Sequence, residues 1–292
     1  MKVGPFDIHE PVPEFGELHA VAMLRPWIDV GSVGSLTLSR LERHYGAKEL
    51  GGIAKPGNFF DFTRYRPNTR FSEGRREFIM PNSIVNYAQT EEGPDFLFLH
   101  LLEPHTFGED YCDGILELVK YFNVKRYCRI GGMYDAVPHT RPLLVTGSTY
   151  GANSEDQVGG VTLKQSTYQG PTSITNLINE GLEKENIGSM SLMVHLPQYV
   201  QLEEDYTGMS RLLEVFCSVY NLPSSLSESR RAKRQYREIS LAMENNREVK
   251  ALISRLEAYY DSQGETPTEQ PPTLSPEVEK FLREMDQRFS DS

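Results

Sequence analysis

Hydrophobic positions in the first three quarters of the chain follow two kinds of pattern. Short apolar runs such as 20–30 and 95–102 predict strands, and the second is continuously apolar, which is typical of a strand covered on both faces. Elsewhere apolar residues recur every three or four positions, as at Leu38, Leu41 and Tyr45, which predicts a helix. Alternating strands and helices favour a three-layer α/β/α fold, in which helices cover both faces of a mixed, mostly parallel sheet.

The same two patterns predict most of the remaining elements. Further strands are predicted at 48–55, 76–81, 84–89, 126–130, 143–149 and 190–196. Further helices are predicted at 108–123, 170–184 and 206–220. The strands at 76–81 and 84–89 are expected to pair as a hairpin, because a short Pro-Asn-Ser segment separates them.

The pattern changes after residue 225. We predict a division into an α/β domain of residues 1–225 and a helical C-terminal extension of residues 226–292. Residues 227–260 lack glycine and proline, and their apolar positions alternate steps of three and four, as in a coiled coil. The residues of this seam that are candidates for an oligomer interface are Ile239, Asn246, Val249, Ile253 and Leu256.

Two readings of this seam stay open. It can pair between subunits, where a polar residue such as Asn246 often sets the register, or it can pack on the chain's own core. A Pro- and Thr-rich linker at 263–276 and a short final helix at 276–289 are expected to follow.

Composition and charge narrow the class of function. A formal net charge of -11 disfavours nucleic-acid binding, and the basic stretch at 230–237 is interpreted as a solvated helix face. The three cysteines are widely spaced, so we expect reduced thiols and a cytoplasmic location. The start of the chain lacks the apolar core of a signal peptide, and its apolar runs are too short to span a bilayer, so no membrane association is expected.

Candidate ligand-binding residues occur where strands end. Gly31 and Gly34 lie between a strand and a helix, where backbone N–H groups can bind an anion, or where glycines simply permit a tight turn. Asp61, Arg64 and Arg66 lie in an aromatic-rich loop that can recognise an anionic or planar group, contact another protein, or be held by its own ion pairs.

A third group follows the strand at 126–130. Its members are Gly131, Gly132, Asp135, His139 and Arg141. The last three could combine acid–base chemistry with anion binding, since ligand crevices of open α/β sheets lie at the carboxyl ends of strands. The alternative is a glycine turn followed by a buried, hydrogen-bonded histidine.

No motif points to a metal or a cofactor. The spacing of His100, Glu103 and His105 does not match zinc motifs, and Pro104 interrupts any helix that could present them together. We therefore predict no metal and no cofactor, and assign no catalytic residue. This favours binding and assembly over catalysis.

Several segments in order along the chain resemble the proteasome assembly chaperone 2 (PAC2) family. They are 25–34, 61–67, 131–142, 168–172 and 196–200, which read RPWIDVGSVG, DFTRYRP, GGMYDAVPHTRP, YQGPT and LPQYV. The extension after Pro223 resembles that of prokaryotic members. The resemblance implies a fold similar to nucleoside phosphorylases and a homo-oligomer, with a trimer as the expected form.

The resemblance also implies a function in protein assembly. Eukaryotic and archaeal members chaperone proteasome ring assembly, so we expect an assembly chaperone or scaffold that binds itself and another protein complex. Some archaeal members dock through a C-terminal hydrophobic–Tyr–any-residue tail, which the last residues 288–292 do not match. An ATP-grasp label is attached to some bacterial members, but this chain has no such pattern. The alternative is a protein or enzyme that binds a nucleotide or another anion.

Overall fold

The computed structural model describes residues 1–72, 74–150, 172–244 and 246–262, together with the backbone of 157–158 and 161–162. The predicted linker at 263–276, the predicted final helix at 276–289 and the first residues of the helix predicted at 170–184 lie outside these ranges.

Strands occur throughout the first two thirds of the chain. They are β1 (Lys2–Val3), β2 (Phe6–Ile8), β3 (Leu18–Arg25), β4 (Lys48–Ile53), β5 (Asn68–Ser72), β6 (Arg75–Ile79), β7 (Ile84–Ala88), β8 (Asp95–Leu102), β9 (Arg126–Asp135), β10 (Val145–Tyr150), β11 (Gln157–Val158), β12 (Val161–Thr162) and β13 (Gly188–Pro197). The helices are α1 (Val33–Tyr45), α2 (Gly108–Tyr121), α3 (Thr175–Lys184), α4 (Tyr206–Tyr220), α5 (Arg230–Met243) and α6 (Arg247–Ser262).

A nine-stranded sheet forms the centre, in the order β1-β2-β4-β7-β8-β3-β9-β13-β10. The four strands β8, β3, β9 and β13 are mutually parallel, and the outer strands add antiparallel pairs on both sides. Strand β3 is paired on both edges and almost wholly buried, as its apolar sequence requires. The predicted mixed α/β sheet is confirmed.

Helices cover both faces of this sheet and enclose two separate cores. Helices α1, α4, α5 and α6 pack on one face through residues such as Leu38, Leu212 and Ile239. Helices α2 and α3 pack on the other face through residues such as Ile115 and Ile178. The three predicted layers are therefore present. No helix among the described residues is long and apolar enough to cross a membrane.

The predicted hairpin of 76–81 with 84–89 is wrong. Strand β6 pairs instead with β5, in a separate two-stranded hairpin, although no strand was predicted at 68–72. Strand β7 joins the central sheet between β4 and β8. The reason is burial: β7 carries Val85 and Ala88 into the core, whereas β5 and β6 carry mainly exposed side chains.

The predicted continuous helix over 227–260 is also wrong, because it breaks between α5 and α6. Asn246 caps α6: its side-chain oxygen Oδ1 accepts hydrogen bonds from the backbone N–H groups of Glu248 and Val249. The polar residue that was expected to set a coiled-coil register therefore starts a new helix.

The apolar seam of the extension faces the chain's own core. Ile239, Val249 and Leu256 are buried in the same cluster as α1 and α4, and Ile253 packs against that cluster from its rim. Of the two readings of the seam, packing on the same chain is the one found here. The extension is thus part of one helical layer.

Candidate functional site

In the turn between β3 and α1, the Asp29 carboxylate lies where an external anion would be expected to bind. The Asp29 carboxylate accepts a hydrogen bond from Ser35 N at 3.0 Å and another from Ser35 Oγ at 2.5 Å. This places a negative charge at the N-terminal end of α1, where the helix dipole favours it. Burial raises the pKa of Asp29, and the two bonds from Ser35 offset part of that rise. An external anion at this turn would have to displace a carboxylate that is buried.

The candidate glycines allow this turn to lie against β9. Gly31 has a φ of 58°, and Gly132 N donates a hydrogen bond to the carbonyl of Ile28 at 2.8 Å. A Cβ atom at Gly132 would lie 2.5 Å from the Val33 side chain, which is too close for any real side chain. Tight packing of the turn on the sheet accounts for glycine at these positions. The same crowding surrounds Gly34 and Gly131.

The loop after β4 is held by local bonds. The Asp61 carboxylate accepts hydrogen bonds from the backbone N–H and the hydroxyl of Thr63, and these bonds lower the pKa of Asp61. Asp61 N donates to His105 Nδ1 at 3.1 Å, which ties the loop to the segment after β8. Arg64 Nε lies 3.9 Å from Asp61 Oδ2, and the Arg66 side chain is exposed. The two arginines are presented to solvent beside an ordered loop.

His139 belongs to a hydrogen-bond network that holds α5. Tyr199 Oη accepts from the backbone N–H of His139 at 2.8 Å and donates to His139 Nδ1 at 2.6 Å. His139 Nε2 then donates to Ser240 Oγ at 3.0 Å, and Ser240 in turn donates to the carbonyl of Tyr236. Burial lowers the pKa of His139 to about 4, so the ring is neutral at pH 7. The histidine is therefore buried, with both ring nitrogens hydrogen-bonded within the chain.

Arg141 holds α6 in a similar way. Its guanidinium donates two hydrogen bonds to the Asp261 carboxylate, at 3.0 and 2.8 Å, and a third to Glu257 at 3.0 Å. Tyr260 Oη adds a bond to the carbonyl of Pro142 at 2.8 Å. The anion that Arg141 was expected to bind is therefore supplied by the chain's own last described helix.

Asp135 lies with a different histidine. His195 Nδ1 donates to Asp135 Oδ2 at 2.6 Å, and Thr146 Oγ1 donates to His195 Nε2 at 2.7 Å. Burial raises the pKa of Asp135, but the bonds from His195 and from the backbone N–H of Ala136 outweigh it and leave the pKa lowered. This carboxylate–imidazole–hydroxyl series links the adjacent strands β9, β13 and β10.

The candidate residues therefore form separate groups rather than one crevice. The glycines pack the 29–34 turn on β9, His139 and Arg141 hold the C-terminal helices, and Asp135 joins His195. Asp61 and its arginines lie near the end of β8. Within the described ranges, no three His, Cys, Asp or Glu side chains are grouped so that they could hold a metal ion.

Sequence reasoning missed Asp205, which connects three parts of the fold. It is almost fully buried, and its carboxylate accepts bonds from Gly208 N at 2.7 Å and from Tyr236 Oη at 2.8 Å. Its backbone N–H donates to the carbonyl of Gly31 at 2.8 Å. Desolvation raises the pKa of Asp205, against the effect of these bonds. An aspartate just before a helix is a sequence signal for a cap, but nothing local indicates the tyrosine from α5.

A groove of about 590 Å³ lies between the 139–140 segment and helices α5 and α6. Its lining residues are His139, Thr140, Tyr236, Arg237, Ser240, Leu241, Met243, Glu244, Lys250 and Ile253. The groove is therefore made largely by the C-terminal extension and not by the carboxyl ends of the strands.

The β5–β6 hairpin, called the arm below, is the most exposed apolar element of the described structure. All but one of its strand residues are exposed, and Phe71 and Phe78 keep 69% and 65% of their surface in water. Ile79 and the adjacent Met80 are exposed as well. The Arg76 guanidinium lies 5.5 Å from the centre of the Phe71 ring. An apolar surface of this size on a projecting hairpin is typical of an interaction site.

Comparison with known families decides the classification. The model of the PAC2 family matches residues 23–242, which include the turn, the central strands and α5. The chain belongs to the PAC2 family. The match extends past the boundary predicted at residue 225, in agreement with the packing of α5 on the main core. No curated protein matches the chain in sequence.

Solved PAC2-like structures share the fold. A Corynebacterium glutamicum protein of unknown function has a TM-score of 0.76 at 22% identity, covering 89% of this chain and 98% of its own. A Mycobacterium tuberculosis proteasome-assembly chaperone homologue has a TM-score of 0.70 at 23% identity, covering 81% and 99%. An archaeal proteasome activator from Pyrococcus furiosus has a TM-score of 0.61 at 16% identity, covering 82% and 98%.

Proposed function

We propose that this PAC2 protein is a homo-oligomeric assembly chaperone or scaffold, which binds copies of itself and another protein complex through exposed apolar surface. A trimer is the expected form, and a cytoplasmic location fits the three free cysteines. The observation that carries the proposal is the arm.

The arm is difficult to explain as part of an isolated monomer. A two-stranded hairpin without a packed face is only marginally stable in water, and large exposed aromatic side chains add a cost in solubility. The side chains of Phe71, Phe78, Ile79 and Met80 expose on the order of 400 Å² in all. Phe71 and Phe78 share one face of the arm and Ile79 lies on the other, as the strand register requires. A stable interface buries roughly 800 Å² on each partner, so one face of the arm would supply about a third of one side.

The solved relatives support a protein partner. The Mycobacterium tuberculosis protein is a proteasome-assembly chaperone homologue, and the Pyrococcus furiosus protein is a proteasome activator. Both descriptions involve association with a large protein complex. Because this chain shares the fold and the family, we infer that it also associates with another protein complex, whose identity stays open.

The experiment is light scattering coupled to size-exclusion chromatography of the full chain, over a range of protein concentrations. We expect a mass of about three times 33.2 kDa for the native chain. Phe71→Ser combined with Phe78→Ser should shift the mass toward one chain, while Leu241→Ser, an equally exposed apolar position on α5, should not. A native chain that stays at 33.2 kDa at every concentration would overturn the proposal.

The small-molecule alternative has less support from the geometry. His139 and Arg141 already bond to Ser240, Glu257 and Asp261, so a ligand at the strand ends would have to compete with these groups. Phosphate or a nucleotide at millimolar concentration should therefore leave the thermal midpoint unchanged. An increase that Arg141→Lys abolishes would revive this alternative.

A further inference from the structure

We propose that the arm of one copy docks on an apolar patch at the carboxyl edge of the sheet of another copy. The patch, called the edge patch below, consists of Trp27, Phe107, Met133 and Leu177. This inference rests on the proposed homo-oligomer, because it names the surface that receives the arm.

The edge patch collects large apolar side chains that the fold leaves in water. Trp27 keeps 54% of its surface exposed and Phe107 keeps 64%, and Met133 and Leu177 are exposed as well. Aromatic residues and methionine are the types enriched at protein interfaces. Scattered exposed hydrophobic residues need no explanation, but several at one edge of a sheet do.

The topology brings these four residues to one edge of the molecule. Trp27 follows β3, and Phe107 precedes α2 shortly after the neighbouring strand β8 ends. Met133 lies near the end of β9, which pairs with β3 on its other side. Leu177 lies in the first turn of α3, one turn from Ile174, which lies close to Gly108 at the start of α2.

Charge complementarity favours the arm as the occupant. Between positions 68 and 79 the sequence of the arm has Arg70, Arg75 and Arg76 against Glu73 and Glu77, on a chain whose net charge is -11. Arg70 pairs with Glu77 at 3.1 Å, so among the described residues of the arm Arg75 and Arg76 are the arginines left to meet a partner. Beside Phe107, the first turn of α2 carries Glu109 and Asp110. Asp135 lies two residues after Met133 and its side chain is 39% exposed. An aromatic hairpin that carries Arg75 and Arg76 thus fits an aromatic patch beside Glu109 and Asp110, although Arg25 is exposed at the same edge next to Trp27.

The arm and the edge patch are different surfaces, so the contact between copies is heterologous. Each copy then gives one arm and receives another from a different copy, and the contacts close as a ring, as the expected trimer requires. Joining the two surfaces also supplies the apolar area that the arm lacks by itself.

Trp27 is the only tryptophan of the chain, which makes the edge patch directly measurable. In the native oligomer, acrylamide should quench Trp27 fluorescence roughly two- to threefold less than in the Phe71→Ser, Phe78→Ser variant, because the docked arm excludes the quencher. Leu241→Ser is the matched control, and acrylamide should quench its Trp27 fluorescence as strongly as in the native chain.

A mixing experiment tests which surfaces meet. A second variant, Trp27→Ser with Met133→Ser, keeps its arm but lacks the patch and has no tryptophan. Added to the arm-deficient variant, it should form a dimer and protect that variant's Trp27, although each variant alone is a monomer. Trp27→Ser alone, which also lacks tryptophan, replaces the second variant if the circular dichroism of the double variant differs from that of the native chain.

The outcomes separate this inference from the proposed function. If the native chain is an oligomer but its Trp27 is quenched as strongly as in the arm-deficient variant, the inference is overturned and the proposed homo-oligomer stands. The edge patch would then be a surface for another protein. Variants that fail to protect Trp27 on mixing would also overturn it. A native chain that is monomeric throughout would overturn the proposed function and this inference with it.

Discussion

Acidification should weaken the attachment of α5 through His139. At neutral pH the ring is uncharged, with Nδ1 accepting from Tyr199 and Nε2 donating to Ser240. Protonation would turn Nδ1 into a donor, so the Tyr199 hydroxyl could no longer donate to it, and a charge would be buried. The ring is only 6% exposed, so water cannot replace what is lost.

The size of the effect follows from the difference in pKa between the folded and unfolded states. The pKa of His139 falls from 6.5 to about 4 on folding, because burial disfavours the charged ring. Above pH 6.5 the His139 ring is unprotonated in both the folded and the unfolded state, so its titration does not reduce the free energy of unfolding there. As the pH falls from 6.5 to 4, only the unfolded state becomes protonated, so the free energy of unfolding decreases by about 1.4 kcal/mol per pH unit. The total loss is on the order of 3 kcal/mol.

Urea denaturation followed by circular dichroism between pH 7 and 4 tests this at a fixed protein concentration. His139→Gln keeps a donor and an acceptor but cannot titrate, so its free energy of unfolding should lose less on acidification than that of the native chain, by on the order of 3 kcal/mol. His9→Gln, at an exposed position, should follow the native curve. Parallel pH dependences of the native chain and His139→Gln would refute the reasoning.

Three other substitutions test packing and bonding in the same fold. Arg141→Ala should free α6 and raise its amide hydrogen exchange, since charge-assisted bonds to two carboxylates disappear. Gly132→Ala should lower the thermal midpoint by several degrees through a clash with α1, whereas Gly16→Ala, where a methyl group has room, should not. Tyr236→Phe removes a donor from buried Asp205 and should cost about 1–3 kcal/mol in urea denaturation.

Each of these has an outcome that would contradict it. Unchanged exchange in α6 of Arg141→Ala would mean that apolar packing alone holds the helix. Equal midpoints for the two glycine variants would mean that the turn moves away from β9 without cost. Native stability in Tyr236→Phe would mean that another group satisfies the Asp205 carboxylate.

Local pattern determined the elements whose character depends on near neighbours. The predicted helix at 206–220 matches α4, and the helix predicted from Leu38, Leu41 and Tyr45 matches α1, which ends at the left-handed Gly46. Strand β8 was recognisable because a continuous apolar run has to be covered on both faces. The family resemblance, carried by segments spread along the chain, is confirmed.

Pattern failed where a partner distant in sequence decides the outcome. Residues 76–79 and 84–88 look equally strand-like, but only the assembled sheet has room for β7, and this leaves β6 to pair with β5. The seam at 239–256 has the periodicity of a coiled coil, and the same periodicity serves a helix pair packed on α4. An apolar stripe specifies that a face is buried but not which surface buries it.

The sequence by itself determined the fold class and most element positions, because the periodicity of apolar residues depends on neighbours only a few positions apart. It also determined the family, through segments spread along the chain. Tertiary structure alone decided what the polar residues do. His139, Arg141 and Asp135 find partners 60 to 120 positions away, in Tyr199, Asp261 and His195. The role of a polar side chain depends on which group it faces after folding, and the spacing of residues along the sequence does not indicate which group that is.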